Sequence, residues 1–422
     1  MQRVIQVDER PSLAESIPLS IQHLFAMFGS TVLVPIIFGV SPATILLMNG
    51  IGTLLYILIC RGKIPAYLGS SFAFLSPVTA VLKEYSGIEG YHYALGAFIV
   101  VGVIFCVVAL IVRLAGTGWI DVVFPPAAMG AIVAVIGLEL VPVAAGQAGF
   151  IKAEDVPFDS AAITVAIITL GVVVIGNVMF RGFFKIIPIL IGIIVGYLVA
   201  WLGYDMIDFT AVKEAGWFEL PKHYAPKWSW TAIATIAPAA LVVVAEHIGH
   251  LVVTSNIVGK DLAKDPGLDR SLFGNGISTI LSGFFGSTPN TTYGENIGVM
   301  ALTKVYSIWV IGGAAIFAII LSFCGKLAAL IQSIPNPVMG GVSLLLFGII
   351  AASGIRMLVE SKVDYSKPVN IILTTIVLVI GISGASLTWG TFSMKGMALA
   401  TVIAIVMSLF FKALEKLNLM NE

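Results

Sequence analysis

The sequence predicts an all-α polytopic membrane protein, and three observations carry that prediction. Hydrophobic residues make up 58% of the 422 and charged residues only 11%, against about 25% charged in an ordinary soluble domain. Mean hydropathy is +1.02. Apolar runs near the ~20 residues that one helical crossing needs recur along the whole chain. A soluble enzyme, a nucleic-acid binder and a disordered chain are all excluded by this balance. The 23 Lys and Arg equal the 23 Asp and Glu, so net charge points to no acidic or basic partner.

Fourteen stretches follow in order. The run 17–38 comes after a polar start, MQRVIQVDERPSLAES, which lacks the apolar core and cleavage site of a signal peptide; the first stretch is therefore expected to be retained. The run 44–60 stops at Arg61. The stretch 69–83 is short and opens on Gly and Ser, and 93–113 closes at Arg113. Stretches 120–140, 161–180 and 185–203 come next, with Arg181 and Lys185 between the last two. After a polar segment come 231–254, 271–285 and 288–304, the last two rich in Gly, Ser, Thr and Asn. The stretches 306–329, 336–353, 368–386 and 394–412 complete the set. With an even count both termini share one side. Sixteen of the 23 Lys and Arg fall on that side, which the positive-inside rule makes cytoplasmic. Cys60, Cys106 and Cys324 are scattered and read as small packing residues, with neither disulfide nor metal spacing.

The chain repeats itself. Asn49-Gly-Ile-Gly-Thr-Leu-Leu55 in the second stretch matches Asn275-Gly-Ile-Ser-Thr-Ile-Leu281 in the ninth. Phe124-Pro-Pro-Ala-Ala-Met-Gly130 in the fifth matches Ile334-Pro-Asn-Pro-Val-Met-Gly340 in the twelfth. Both pairs lie seven stretches apart, so the chain divides into repeats 1–210 and 211–422. Seven is odd, so the second copy enters the membrane inverted, as in many secondary transporters with a midplane substrate site.

The interruptions also correspond. Stretch three opens Pro65-Ala-Tyr-Leu-Gly-Ser-Ser-Phe-Ala-Phe74, and stretch ten opens Gly286-Ser-Thr-Pro-Asn-Thr-Thr-Tyr-Gly-Glu-Asn296. Gly, Ser, Thr, Asn and Pro favour extended or turn backbone, which lipid does not tolerate unless it is paired or lines a cavity. Short antiparallel strands leading into half-helices satisfy this, and such half-helices aim backbone N–H groups at the membrane centre.

Nearly all acidic residues lie between the stretches. Glu246 and Glu295 lie well inside them, and Glu139 sits at an edge. An intramembrane carboxyl marks a functional site by default. A carboxyl away from water resists ionisation, so Glu246 is a candidate proton carrier. His250 shares its helix face at i+4, while His247 points off that face and reads as packing, as does His23. Phe72, Phe74 and Tyr293 offer flat rings near the interruptions; as strand residues Phe72 and Phe74 would share a face. Carboxylates accepting N–H groups and the backbone amides of Tyr293, Gly294 and Glu295 donating to carbonyls suit a small planar molecule such as uracil. The same inventory serves another neutral imide or amide.

Gln22-His23, Gly69-Ser-Ser-Phe-Ala-Phe74, Ala245-Glu-His-Ile-Gly-His250 and the run Ser287 to Thr303 closely resemble the nucleobase–cation symporter 2 family, also called nucleobase–ascorbate transporters. The resemblance runs end to end and is most specific over Glu295-Asn-Ile-Gly-Val-Met-Ala-Leu-Thr303. Xanthine and urate members usually carry Gln where this chain has Glu295, which favours the pyrimidine branch. The resemblance implies fourteen transmembrane segments in two inverted sevens, a core domain (1–118 and 228–332) and a gate domain (119–227 and 333–422). It further implies a homodimer in the bacterial inner membrane, and uptake of uracil with a proton and without a cofactor. Carried over, Glu246, Gly294 and Glu295 bind uracil, Phe72 and Tyr293 line the pocket, and Glu246 and His250 couple the proton. Phe347 departs from a Tyr common in that branch. Alternatives are a xanthine or urate symporter and an anion exchanger of related architecture. Anion exchangers often carry a soluble regulatory domain after the last span; here about ten residues follow it.

Overall fold

A computed structural model describes residues 4–151, 158–389 and 392–420. Arg3 and Lys152, both used in the charge count, lie outside the described residues. The chain opens with α1 (Leu13–Ala26) and α2 (Phe28–Phe38), then α3 (Pro42–Ile59), β1 (Leu68–Ser70), α4 (Leu75–Tyr85), α5 (Ile88–Ala115), α6 (Ile120–Val123) and α7 (Pro126–Gln147). It continues through α8 (Ser160–Met179), α9 (Pro188–Tyr204), α10 (Thr210–Glu214), α11 (Trp230–Ile236), α12 (Ala239–Val258) and α13 (Leu268–Phe285). The last part holds β2 (Asn290–Thr292), α14 (Gly294–Thr303), α15 (Ile308–Ser322), α16 (Gly325–Gln332), α17 (Asn336–Glu360), α18 (Pro368–Ile382), β3 (Ser386–Trp389), β4 (Phe392–Lys395) and α19 (Gly396–Lys416).

Among the described residues, eight helical stretches are long and apolar enough to cross a membrane by themselves. They are Leu13–Phe38, Pro42–Ile59, Ile88–Ala115, Pro126–Gln147, Ser160–Met179, Trp230–Val258, Asn336–Glu360 and Gly396–Lys416. The chain is thus a mostly helical, multi-pass membrane protein. α15 and α16 together form a ninth candidate, bent by 87°. α9 and α18 are shorter apolar helices.

Helix ends follow local chemistry. Ser12 and Glu15 form a capping box, so α1 starts four residues before the apolar run at 17. Prolines near the first turn start α3, α7, α9, α17 and α18, where a missing N–H costs nothing. Several boundaries differ from expectation. The run 17–38 breaks at Met27, which joins α1 to α2. α17 continues past 353 to Glu360, because Arg356 and Glu360 pair one turn apart at 2.6 Å and carry the helix into polar surroundings. α18 stops at Ile382 instead of 386: Gly384 turns left-handed at φ +71, and β3 and β4 form a hairpin there.

Two groups of helices emerge from the packing. α1, α3, α5, α13 and α15 pack on one another, with α4 and α11 against α5. α7, α8, α9, α17, α18 and α19 form the second group. α7 meets α17 through glycines; a Cβ on Gly130 would lie 2.9 Å from the Gly354 carbonyl oxygen. α12 lies between, touching α13 and α5 on one side and α7 and α19 on the other.

Candidate functional site

The site is built on two strands of three residues each. β1 and β2 pair antiparallel, with Leu68 opposite Thr292, Gly69 opposite Thr291 and Ser70 opposite Asn290. All six residues are buried, so their backbone groups must be satisfied inside the protein. The pairing extends at both ends: Ser71 N donates to Pro289 O at 3.1 Å, and Tyr293 N to Tyr67 O at 3.0 Å. One threonine braces each strand. Thr53 accepts from Leu68 N at 2.9 Å and donates to Leu68 O at 3.3 Å. Thr279 accepts from Asn290 N at 3.2 Å and donates to Asn290 O at 3.3 Å. These are the matching threonines of the repeated strings Asn49–Thr53 and Asn275–Thr279. Their shared position was visible in the sequence, but their role as braces was not.

A helix follows each strand. After β2, α14 begins at Gly294 with Tyr293 as its cap residue and Glu295 in its first turn. Its first N–H groups lack carbonyl partners in the helix, and α14 packs against α12. Tyr293 N–H is not among the free donors, contrary to expectation, because the strand pairing has taken it. The Tyr293 ring lies over Gly69, where a Cβ would collide with it, and packs with Leu24, Met27 and Tyr67. After β1 comes a single 3-10 turn, Phe72–Phe74, before α4. Because this stretch is a turn and not a strand, the two phenylalanines do not share a face. Phe72 meets Phe347 edge-on at 5.8 Å, whereas Phe74 is buried against Phe98 at 6.1 Å. A phenylalanine at 347 thus fills an apolar contact where a hydroxyl would have needed a partner.

α12 brings the remaining groups. His250 Nδ1 and Thr292 Oγ1 lie 3.0 Å apart, and a Cβ on Gly294 would stand 3.3 Å from His250 Nε2. Glu246 and Glu295 interact electrostatically. Glu246 Oε2 is buried and has no hydrogen-bond partner among the described residues. Gly294 is exposed, and Glu246, His250 and Glu295 are half-buried, although the strands beside them are wholly buried. An opening therefore reaches these four residues. Glu246, Gly294, Glu295 and His250 lie together, and the turn Phe72–Phe74 packs on α12.

His247 and His23 join helices instead. His247 Nε2 lies 2.7 Å from Ser271 Oγ, which lies 2.6 Å from Tyr56 OH; this ties α12 to α13 and α3. His23 holds Asn296 through its ring nitrogen at 3.2 Å and its carbonyl at 3.3 Å, joining α1 to α14. Chemically, the opening offers two carboxyls and the first backbone N–H groups of α14. It suits a small flat ligand that both donates and accepts hydrogen bonds.

The sequence pattern of the permease family matches residues 14–390. A uracil permease of Paenibacillus larvae is 68% identical, covering 100% of this chain and 99% of its own length. A uracil permease of Escherichia coli K12 is 64% identical, covering 99% and 96%, and one of Bacillus subtilis 46%, covering 96% and 94%. Among solved structures, the transmembrane domain of the cyanobacterial bicarbonate transporter BicA aligns at TM-score 0.61 and 13% identity, over 97% of this chain and 98% of that one. The overall structure of SLC26A9 aligns at TM-score 0.71 and 10% identity, over 96% and 66%. These two likenesses concern the fold alone. Family pattern and high-identity relatives together place the chain: it belongs to the nucleobase–cation symporter 2 family of permeases, and it is a transporter and not an enzyme.

Proposed function

We propose that this chain takes up uracil together with a proton across the bacterial inner membrane, by alternating access. The observation that carries the proposal is the meeting of Glu246 with the start of α14 at Gly294 and Glu295. Uracil is flat, with two N–H donors and two carbonyl acceptors. The carboxyls of Glu246 and Glu295 accept from its N–H groups, the first amides of α14 donate to a carbonyl, and Phe72 faces the ring. Tyr293 supports the pocket from behind through its packing on Gly69. The names of the high-identity relatives support the same substrate.

Fourteen segments in two inverted sevens fit the packing. The repeated strings of α3 and α13 lie against each other, where a Cβ on Gly52 would meet Ser278; α7 and α17 also pack together, each string on the far end of the other helix, Gly130 by Gly354 and Gly340 by Ala148. The two threonine-braced strands occupy equivalent places. The first helix group, with α12 and α14, corresponds to the core domain (1–118 and 228–332), and the second to the gate domain (119–227 and 333–422). Repeats 1–210 and 211–422 interleave to build both. The apolar outer faces of α8 and α18, including Val174, Ile175, Ile371 and Val379, suit lipid and a second copy docking through the gate. The sixteen basic residues favour cytoplasmic termini.

Protonation at Glu246 removes a charge from a poorly solvated place and permits the core to move against the gate. His250 lies beside Gly294 and shares the Glu246 face, so it can exchange that proton as the site opens to the cytoplasm. Proton and uracil then favour each other's binding reciprocally. Equilibrium binding of labelled uracil to the purified protein tests the site. Glu246→Ala and Glu295→Ala should each remove binding, and normal binding in either would sink the assignment. Competition by uracil but not by xanthine separates the pyrimidine reading from a purine symporter.

A further inference from the structure

We propose that Glu139 is a positioning residue for the transport step, a latch that holds one mouth of the cleft between the two helix groups closed. Glu139 sits on α7 of the second group. Its Oε1 accepts from Ser76 Oγ at 2.7 Å, and its Oε2 accepts from Met397 N at 3.0 Å. Ser76 lies in the first turn of α4, four residues after Phe72, so one end of the latch rests on the element that carries the site's aromatic wall. Met397 lies in the first turn of α19, whose free N–H groups favour a carboxylate. The seat is shaped for this carboxylate. Gly396 has φ +55, and a Cβ there would overlap the Glu139 carboxylate. A cavity of about 120 Å³ lies beside the latch, lined also by Glu84, Thr231, Thr235 and Lys395. Glu84, Thr231 and Thr235 come from the first helix group and Lys395 from the second, so the cavity straddles the seam. Neither bond is needed to hold uracil, and movement of the first group against the second must break the one to Ser76.

The latch rests on the alternating-access reading, and its test keeps the two apart. In a cysteine-free background (Cys60→Ala, Cys106→Ser, Cys324→Ser), Thr231→Cys reports access to the cavity through its reaction with a charged maleimide. Reagent is supplied on both sides of proteoliposomes, so orientation is immaterial. Loss of both bonds in Glu139→Ala should speed labelling about fivefold, the effect of roughly one net hydrogen bond on an opening equilibrium. Ser76→Ala should speed it less, and Glu139→Gln, which keeps an acceptor for Met397 N, least. Uracil binding should persist in all three while net uptake falls in Glu139→Ala. If uracil changes the parent's labelling rate but Glu139→Ala does not, the latch is wrong. Loss of uracil binding in all three variants would also overturn it, since Glu139 would then be structural. If uracil never changes the parent's rate, alternating access fails, and the latch fails with it.

Discussion

Tyr67–Tyr85 and Ser287–Thr303 are two answers to one structural problem. Each crosses part of the interior as a three-residue strand, each strand is braced by a threonine at the same place in a repeated string, and each then turns into a helix. Beyond the strand they diverge. The first inserts the turn Phe72–Phe74, with rings on two sides, before α4 begins. The second enters α14 at once, with Gly294 leaving the backbone bare and Glu295 in the first turn. In the proposed site one half supplies an apolar wall and the other a polar edge. The lesson is that two strands braced alike continue differently, and a flat molecule with one hydrogen-bonding edge would use that difference.

The largest break in the comparison comes from the polar half. Glu295→Ala removes a charge-assisted hydrogen bond and Glu246→Ala a buried carboxyl acceptor for a uracil N–H, and uracil affinity should fall about a hundredfold or more in a binding titration. Gly294→Ala places a Cβ against His250 and into the opening; a loss of about tenfold is expected from such crowding, and unchanged affinity would show that the α14 backbone is not approached. On the apolar half, Phe72→Ala should cost about tenfold in affinity through its lost ring contact. Phe74→Ala should instead lower thermal stability by about 3–5 kcal/mol, as a cavity in a packed core does, with affinity kept in the folded protein. His250→Ala should bind uracil better than it accumulates it in cells; full gradient-driven accumulation would remove His250 from the coupling step.

The smallest effects sharpen the symmetry itself. Thr53→Val and Thr279→Val each leave a buried strand N–H without a partner, at about 1–3 kcal/mol in thermal denaturation. Similar losses in stability are expected from both. Only Thr279→Val should also weaken uracil binding, because β2 leads straight into Gly294 whereas the Phe72–Phe74 turn separates β1 from α4. Equal effects on binding would mean that the two halves share the recognition more evenly than their geometry implies.

Much of this was legible in the sequence because membranes penalise exceptions. Charge is so scarce that Glu246 and Glu295 stood out, and Gly, Ser, Thr and Asn runs could only mean interrupted helices that had to pair. The approximate helix positions followed from apolar length. What escaped depended on local backbone choices that composition does not encode. Alternation suggested that Phe72 and Phe74 share a face, but the chain turns as a 3-10 helix there and parts them. Tyr293 N–H belonged to the expected donor array, yet strand pairing with Tyr67 uses it. Thr53 and Thr279 looked like ordinary helix residues until the strands beside them were in place. Glu139 lay at the edge of an apolar run with no partner near it in sequence; its seat is made by Gly396, more than two hundred residues away.

Uracil movement is proposed to be coupled to a proton gradient, and right-side-out membrane vesicles provide the deciding experiment. Labelled uracil uptake should be measured with the exterior made acidic and again with the gradient collapsed. Uphill accumulation that needs the gradient and vanishes in Glu246→Ala is the expected result. Equal uptake with and without the gradient, or gradient-driven accumulation surviving in Glu246→Ala, would contradict it.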